Sequence, residues 1–166
     1  MKQYISEYDS SLGKIVLAAD EQGLTGLWFQ GQKYFGRSLC ENHEKGETDI
    51  LRSAEKWLDI YFSGREPDFM PPVNMIGTDF QIGVWDELLK IPYGTTKSYG
   101  DIAAKIAAKF GKKSMSAQAV GGAVGHNNIS IIIPCHRVVG KRGQLTGYAG
   151  GLDRKRSLLQ LEGALL

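Results

Sequence analysis

Cysteine is nearly absent from this chain. Only Cys40 and Cys135 occur among 166 residues, which permits one bridge at most and excludes a disulfide-built scaffold. No apolar run reaches membrane-spanning length and no signal-like segment opens the chain, so the expectation is a protein of the reducing cytoplasm with no membrane association. Histidine is also scarce, at three residues. Cys40 and His43 have a spacing that suits a metal, but two ligands do not make a zinc site and no further cysteine or partner histidine lies nearby, so neither a metal nor another cofactor is expected. Proline is limited to five residues, three of them clustered at Pro67, Pro71 and Pro72.

What is present is an ordinary globular composition, 42% hydrophobic, enough for one large or two small domains. The formal net charge of +2 conceals a split. Residues 1–76 carry 8 Lys/Arg against 12 Asp/Glu, whereas residues 77–166 carry 12 against 6. A basic second half points to a polyanionic partner or to a plain solvated surface.

The first thirty residues read as an antiparallel meander: alternation over Lys2 to Tyr8, a turn at Asp9 to Gly13, a strand from Lys14 to Ala19, a second turn, and a strand from Leu24 to Phe29. Gln30 to Glu47 is polar and unpatterned, a loop or a short helix. Ile50, Leu51, Ala54, Trp57, Leu58, Tyr61 and Phe62 then recur at helical spacing, which predicts a helix covering one face of the sheet. Arg65 to Ile76, holding the three clustered prolines, reads as an extended linker. The predicted organisation is an α/β domain over 1–76, a small antiparallel sheet with a helix, followed by a mostly α-helical domain over 77–166.

In the second region Thr78-Asp79-Phe80-Gln81 has the form of a capping box and opens a helix to about Lys90, with Phe80, Val84, Leu88 and Ile91 on one stripe. A helix from Tyr99 to about Phe110, a glycine turn, and a helix of small residues from Ser116 to about Gly125 form a helix-turn-helix pattern, which suits DNA binding or simple packing. Lys141 to Gly151 is a glycine-rich loop, and Leu152 to Glu162 a last helix closed by Gly163.

Between these helices lies the run Ile129-Ser130-Ile131-Ile132-Ile133, followed by Pro134-Cys135-His136-Arg137-Val138. A β-branched run closed by proline reads as a buried strand, with Cys135 emerging where it stops. A cysteine reacts as its thiolate, and His136, Arg137, Lys141 and Arg142 make the surroundings electropositive. On the residues alone, Cys135 is either this nucleophile or a buried structural thiol. Adjacent side chains on an extended backbone point apart, so proton transfer between Cys135 and His136 requires a bend or a bridging water. Glu162 lies four residues after Leu158, on the same face, in a last turn where the helix dipole disfavours an anion. It is either an acid that needs a buried partner or a surface residue at a frayed end.

The Pro-Cys-His-Arg-Val sequence behind an isoleucine run resembles the signature of the O6-alkylguanine-DNA alkyltransferases, and the resemblance extends from Phe80 to Glu162. It implies that Cys135 accepts an alkyl group, that His136 deprotonates it through a water, that Glu162 orients and charges the histidine, and that Asn127 buttresses the segment. The thioether formed is stable, so each molecule reacts once. The resemblance also implies a monomer acting on double-stranded DNA that carries O6-alkylguanine, with O4-alkylthymine as a second candidate lesion, and extrusion of the damaged nucleotide. Tyr99 matches the tyrosine that crowds the phosphate and bonds the flipped guanine. Main-chain groups of Cys135, Val138 and Ala149 match those that read the base, and Tyr148 matches a pocket wall. Ala117, Ala119 and Gly121 match the small-residue helix inserted in the minor groove. Two positions depart from the family pattern: Gln118 replaces an intercalating arginine, and Asn128 replaces the proline after Asn127. Over 1–76 the likeness is architectural only. The competing functions are a lesion sensor, whose relatives lack the cysteine, and a cysteine hydrolase, for which no oxyanion hole is recognisable.

Overall fold

Alternating β-formers and short polar turns build the first sheet. β1 (Gln3–Ser10) pairs antiparallel with β2 (Gly13–Ala19) through the register Tyr4↔Ala19 to Ser10↔Gly13, and β2 pairs antiparallel with β3 (Leu24–Phe29). The computed structural model describes residues 1–165; Leu166, the last residue of the predicted second region, lies outside the described residues. The three-stranded meander is therefore as read. Its sheet is nevertheless mixed, in the order β3-β2-β1-β4, because β4 (His43–Lys45) pairs parallel with β1. That strand falls inside the polar stretch read as a loop or short helix. Its three side chains are all exposed and charged or polar, so no alternation marks it. Tertiary bonds hold it in place: buried Gln3 accepts from Cys40 N (2.6 Å) and donates to Thr25 Oγ1 and Ser38 O (both 3.0 Å).

Helix α1 (Asp49–Phe62) is capped by Thr48, whose Oγ1 accepts from Leu51 N, and it buries Leu51, Ala54, Trp57, Leu58 and Tyr61. The proline-rich linker runs along β3, with Leu24 N donating to Pro72 O and Asn74 N to Leu24 O, each at 2.8 Å. The contact pattern divides the chain into two units, Met1–Ile76 with Asn128–Ser130, and Gly77–Asn127 with the chain from Ile131 onward.

In the second unit Thr78 and Gln81 form the complete capping box of α2 (Asp79–Leu88), on which Val84 and Leu88 are buried and Phe80 is half-buried. Ser98 and Asp101 cap α3 (Tyr99–Lys109) in the same way, and Ser116 caps α4 (Ala117–Gly125). Ile102, Ala103 and Ile106 of α3 are buried. With the turn between them, α3 and α4 complete the helix-turn-helix. The last helix, α5, spans Leu152–Leu161, with Glu162 at its C-cap and Gly163 at φ +77°.

The isoleucine run is not a strand. Only Ile129 forms a bridge, to Leu27, and residues 130–132 turn, with Ile131 at φ +70°. The run is buried throughout, and burial alone accounts for its composition; β-propensity measures fit to a half-buried surface and does not by itself require a ladder. After Pro134, Cys135–Arg137 forms a single 3₁₀ turn that leads into β6 (Val138–Val139). β6 pairs parallel with β5 (Lys97–Ser98), in register Lys97↔Val138 and Ser98↔Val139.

One buried bond ties α2 to α4: Trp85 Nε1 donates to Ala123 O at 2.9 Å from a site 1% exposed. Trp85→Phe removes the donor and part of the ring, and urea denaturation should show a loss of about 1–3 kcal/mol. An unchanged midpoint would mean that this bond does not support α4.

Candidate active site

The bend that the sequence requires between Cys135 and His136 is supplied by the 3₁₀ turn, held by Arg137 N donating to Pro134 O at 3.0 Å. Pairing of β5 with β6 brings Tyr99, the first residue of α3, beside this turn, and the C-cap of α5 brings Glu162. Cys135 is 5% exposed, and His136 and Glu162 are buried.

Glu162 joins the surrounding segments. Its Oε2 meets His136 Nε2 at 2.6 Å and accepts from Arg137 Nη2 at 3.0 Å, while Oε1 accepts from Arg137 Nε at 2.8 Å and from Gly94 N at 3.1 Å. Arg137 also donates through Nη1 to Ile91 O at 2.8 Å. The acid that needed a buried partner therefore has two, one of them a bidentate guanidinium. Burial alone would raise the Glu162 carboxyl. The hydrogen bonds and charges of His136 and Arg137 outweigh that effect and hold it well below the usual carboxylate range. A carboxylate only accepts, so Nε2 of His136 carries the ring proton and Nδ1 the lone pair. Burial pushes His136 down against the pull of Glu162, which keeps the ring neutral.

Burial likewise raises the Cys135 thiol, so the resting group is protonated. Opposing this are the Asn127 side chain, the nearby charge of Lys155 and the main-chain N–H groups of Cys135 and His136, all of which favour the thiolate. Asn127 Nδ2 also donates to Ile133 O at 2.7 Å, fixing the approach to the turn. The electropositive character expected of Lys141 and Arg142 does not arise there, since both are exposed. It comes from Lys155, a fully buried lysine whose Nζ donates to Gly147 O at 3.1 Å and lies 5.8 Å from the Tyr99 ring centre. Burial pushes its pKa down to about 8, with Cys135 pulling it back up. Burial also raises the Tyr99 hydroxyl, although a bond with Thr146 favours its ionised form.

The cluster thus unites Cys135, His136, Glu162, Asn127 and Tyr99. Val138 is buried in β6, and Tyr148 and Ala149 are half-buried in the glycine-rich loop that Lys155 anchors. Ala117, Gln118 and Ala119 stand exposed in the first turn of α4, while Gly121 of the same helix faces Tyr99: a Cβ there would lie 3.9 Å from the ring. Arg137 and Lys155 are the members with no assigned role in the motif. The available signal for Lys155 is its spacing, three residues before Leu158 and seven before Glu162, which places a lysine on the buried stripe of α5. His43 Nδ1 bonds Cys40 O at 2.6 Å, and among the described residues no group of three or more His, Cys, Asp or Glu side chains is placed to hold a metal ion.

The two pKa shifts make stability depend on pH in one direction. His136 is depressed below its ordinary 6.5, so the unfolded chain takes up a proton first and stability falls as pH drops through that value. Glu162 is depressed below its ordinary 4.5, so its contribution is complete above that pH and is lost on further acidification. Glu162→Gln should flatten the acid limb of a stability–pH curve. Glu162→Ala, which leaves Arg137 buried without its counter-charge, should cost about 3–5 kcal/mol near neutral pH. An acid limb unchanged in Glu162→Gln would contradict this assignment.

Comparison with known proteins gives a concordant result. The family model described as 6-O-methylguanine DNA methyltransferase, ribonuclease-like domain, matches residues 4–75, and the one described as 6-O-methylguanine DNA methyltransferase, DNA binding domain, matches residues 79–164. The methylated-DNA–protein-cysteine methyltransferase of Mycobacterium tuberculosis is 45% identical over 154 residues, covering 93% of this chain and 88% of its own. The Methanosarcina acetivorans protein of the same name is 43% identical over 164 residues, covering 97% and 99%. The crystal structure of Mycobacterium tuberculosis OGT in complex with DNA superposes with a TM-score of 0.82 at 41% identity, over 99% of this chain and 94% of that one. With both regions matched and identity sustained along nearly the whole length, the chain belongs to the 6-O-methylguanine DNA methyltransferase family.

Proposed function

We propose that the protein repairs DNA directly, by moving the alkyl group from O6 of an alkylated guanine to Cys135 in one irreversible transfer per molecule. The observation that carries this reading is the buried set in which Cys135 meets a hydrogen-bonding Asn127 and the charge of Lys155, beside a neutral His136 braced by Glu162. A bridging water passes the thiol proton to Nδ1 of His136. The imidazolium that results is stabilised by the Glu162 carboxylate, which Arg137 keeps ionised. The thiolate, favoured by Lys155, Asn127 and the two main-chain N–H groups, attacks the alkyl carbon. As the S–C bond forms, the C–O6 bond breaks, and the guanine leaves with the electron pair and takes up a proton. No water can cleave the thioether, so the cycle stops there. The thiol that makes this chemistry possible distinguishes the protein from a binding-only lesion sensor.

Duplex DNA is the partner. In this reading the small-residue start of α4, with exposed Ala117 and Ala119 and half-buried Gly121, enters the minor groove. Tyr99 and the main chain at Val138 and Ala149 receive the extruded base against Tyr148. Exposed Lys97, Lys112 and Lys113 meet phosphates. The protein acts as a monomer, in a reducing compartment such as the cytoplasm, where Cys135 remains a thiol.

Incubation with an O6-methylguanine oligonucleotide should add the mass of one methylene to Cys135, once per molecule even with lesion in excess. Cys135→Ser should abolish the gain and keep DNA affinity. Several transfers per molecule, or a mass gain elsewhere, would contradict the reading. Gln118 fills the vacated stack without the charge of an arginine, so Gln118→Arg should speed transfer from duplex more than from single strands. Equal acceleration on both in single-turnover assays would remove Gln118 from the flipping step.

A further inference from the structure

The first turn of α5 is built against a local rule. A helix N-terminus carries partial positive charge, so acids are favoured there and cations are not. Yet Leu152 and Asp153 are followed at once by Arg154-Lys155-Arg156, and the N-cap, Gly151, has no side chain with which to cap the helix. Charges set against the dipole call for another use.

Two of the three cations reach back to the loop that precedes the helix. Arg154 Nη1 donates to Gly150 O and Lys155 Nζ donates to Gly147 O, each at 3.1 Å. Between those carbonyls, Gly151 N donates to Tyr148 O at 2.9 Å and closes the turn. The carbonyls of Gly147, Tyr148 and Gly150 are thereby held, and none of the three bonds uses the main chain of Ala149. All of these residues lie in the second unit. With glycine at 147, 150 and 151, this backbone is costly to order, and adjacent side chains of a packed helix supply the tethers.

We propose that Arg154 is a positioning residue for base recognition: with Lys155 it holds residues 147–150 in one shape before DNA arrives, so that an extruded guanine meets Tyr148 and the main chain of Ala149 without first ordering them. This rests on the reading of that loop as a wall of the base pocket. Such preorganisation lowers the ordering cost of binding and leaves the chemical step alone. Arg154 is the member that isolates the effect, because the charge of Lys155 also favours the Cys135 thiolate.

The test compares the full-length parent with Arg154→Ala, which suits a helix, and Arg154→Lys, which keeps a charged donor. Hydrogen exchange of the Gly151 amide should quicken about fivefold in Arg154→Ala, the loss of one hydrogen bond, and return toward the parent in Arg154→Lys. The second-order rate of transfer from O6-methylguanine should fall by a similar factor for the free base and for a lesion duplex. Affinity for undamaged duplex and iodoacetamide modification of Cys135, neither of which needs the base pocket, should keep the parent's values. A residue that served only the fold would move those two as well. Unchanged exchange at Gly151, unchanged transfer, a loss confined to the duplex, or a loss in all four measurements that lysine does not restore would each overturn the inference. A parent that transfers nothing would instead overturn the reading of the protein as an alkyltransferase, while exchange at Gly151 would still judge whether Arg154 holds the loop.

Discussion

A buried carboxylate with every acceptor direction occupied governs this structure. Glu162 receives His136, both forks of Arg137 and the main chain of Gly94, and in doing so fastens the end of α5 to the Cys-His-Arg turn and to the turn before β5. A lone carboxylate in that position would cost several kcal/mol and would become protonated. The bidentate arginine reverses the outcome, so the charge persists where the water that normally solvates it is excluded. Arg137 in turn donates through Nη1 to Ile91 O, which fixes the guanidinium from its other side.

From that charge the chemistry follows by proton bookkeeping. A carboxylate that stays ionised fixes the proton on His136 Nε2, and the opposite nitrogen is then obliged to be basic. Burial holds the imidazole neutral and the thiol protonated at rest, the correct starting state for one transfer. Lys155 contributes a second balance: burial weakens its ammonium, while the proximity of Cys135 strengthens it. Each group is poised by a burial penalty set against a specific partner, a combination that clusters at reactive sites.

Much of this was legible in the residues. The meander, the capping box at Thr78 and the stripes of α1 and α2 follow from local rules, because periodicity and cap chemistry act within a few residues. The Cys-His pair announced a need for a bend or a bridging water, while Glu162 read either as an acid needing a buried partner or as a surface residue at a frayed end. What was not legible depended on long-range contacts. β4 has no apolar alternation and exists because Gln3 and β1 hold it. The isoleucine run has strand composition, yet Ile131 turns it at a dihedral that composition disfavours. The residues mark Arg137 only as a positive charge near Cys135 and do not single out Lys155; the fold shows that Arg137 pairs with Glu162 and that Lys155 is buried beside the site.

The most direct test of this account is the protonation state of His136 itself. Side-chain ¹⁵N chemical shifts, followed through acidification, distinguish the two neutral tautomers from the imidazolium. The ring should remain neutral and protonated on Nε2 at pH values where a free histidine is half charged. In Glu162→Gln that tautomer should lose its preference. A His136 that titrates like a free histidine, or that carries its proton on Nδ1, would contradict the central claim that Glu162 sets the direction of proton transfer from Cys135.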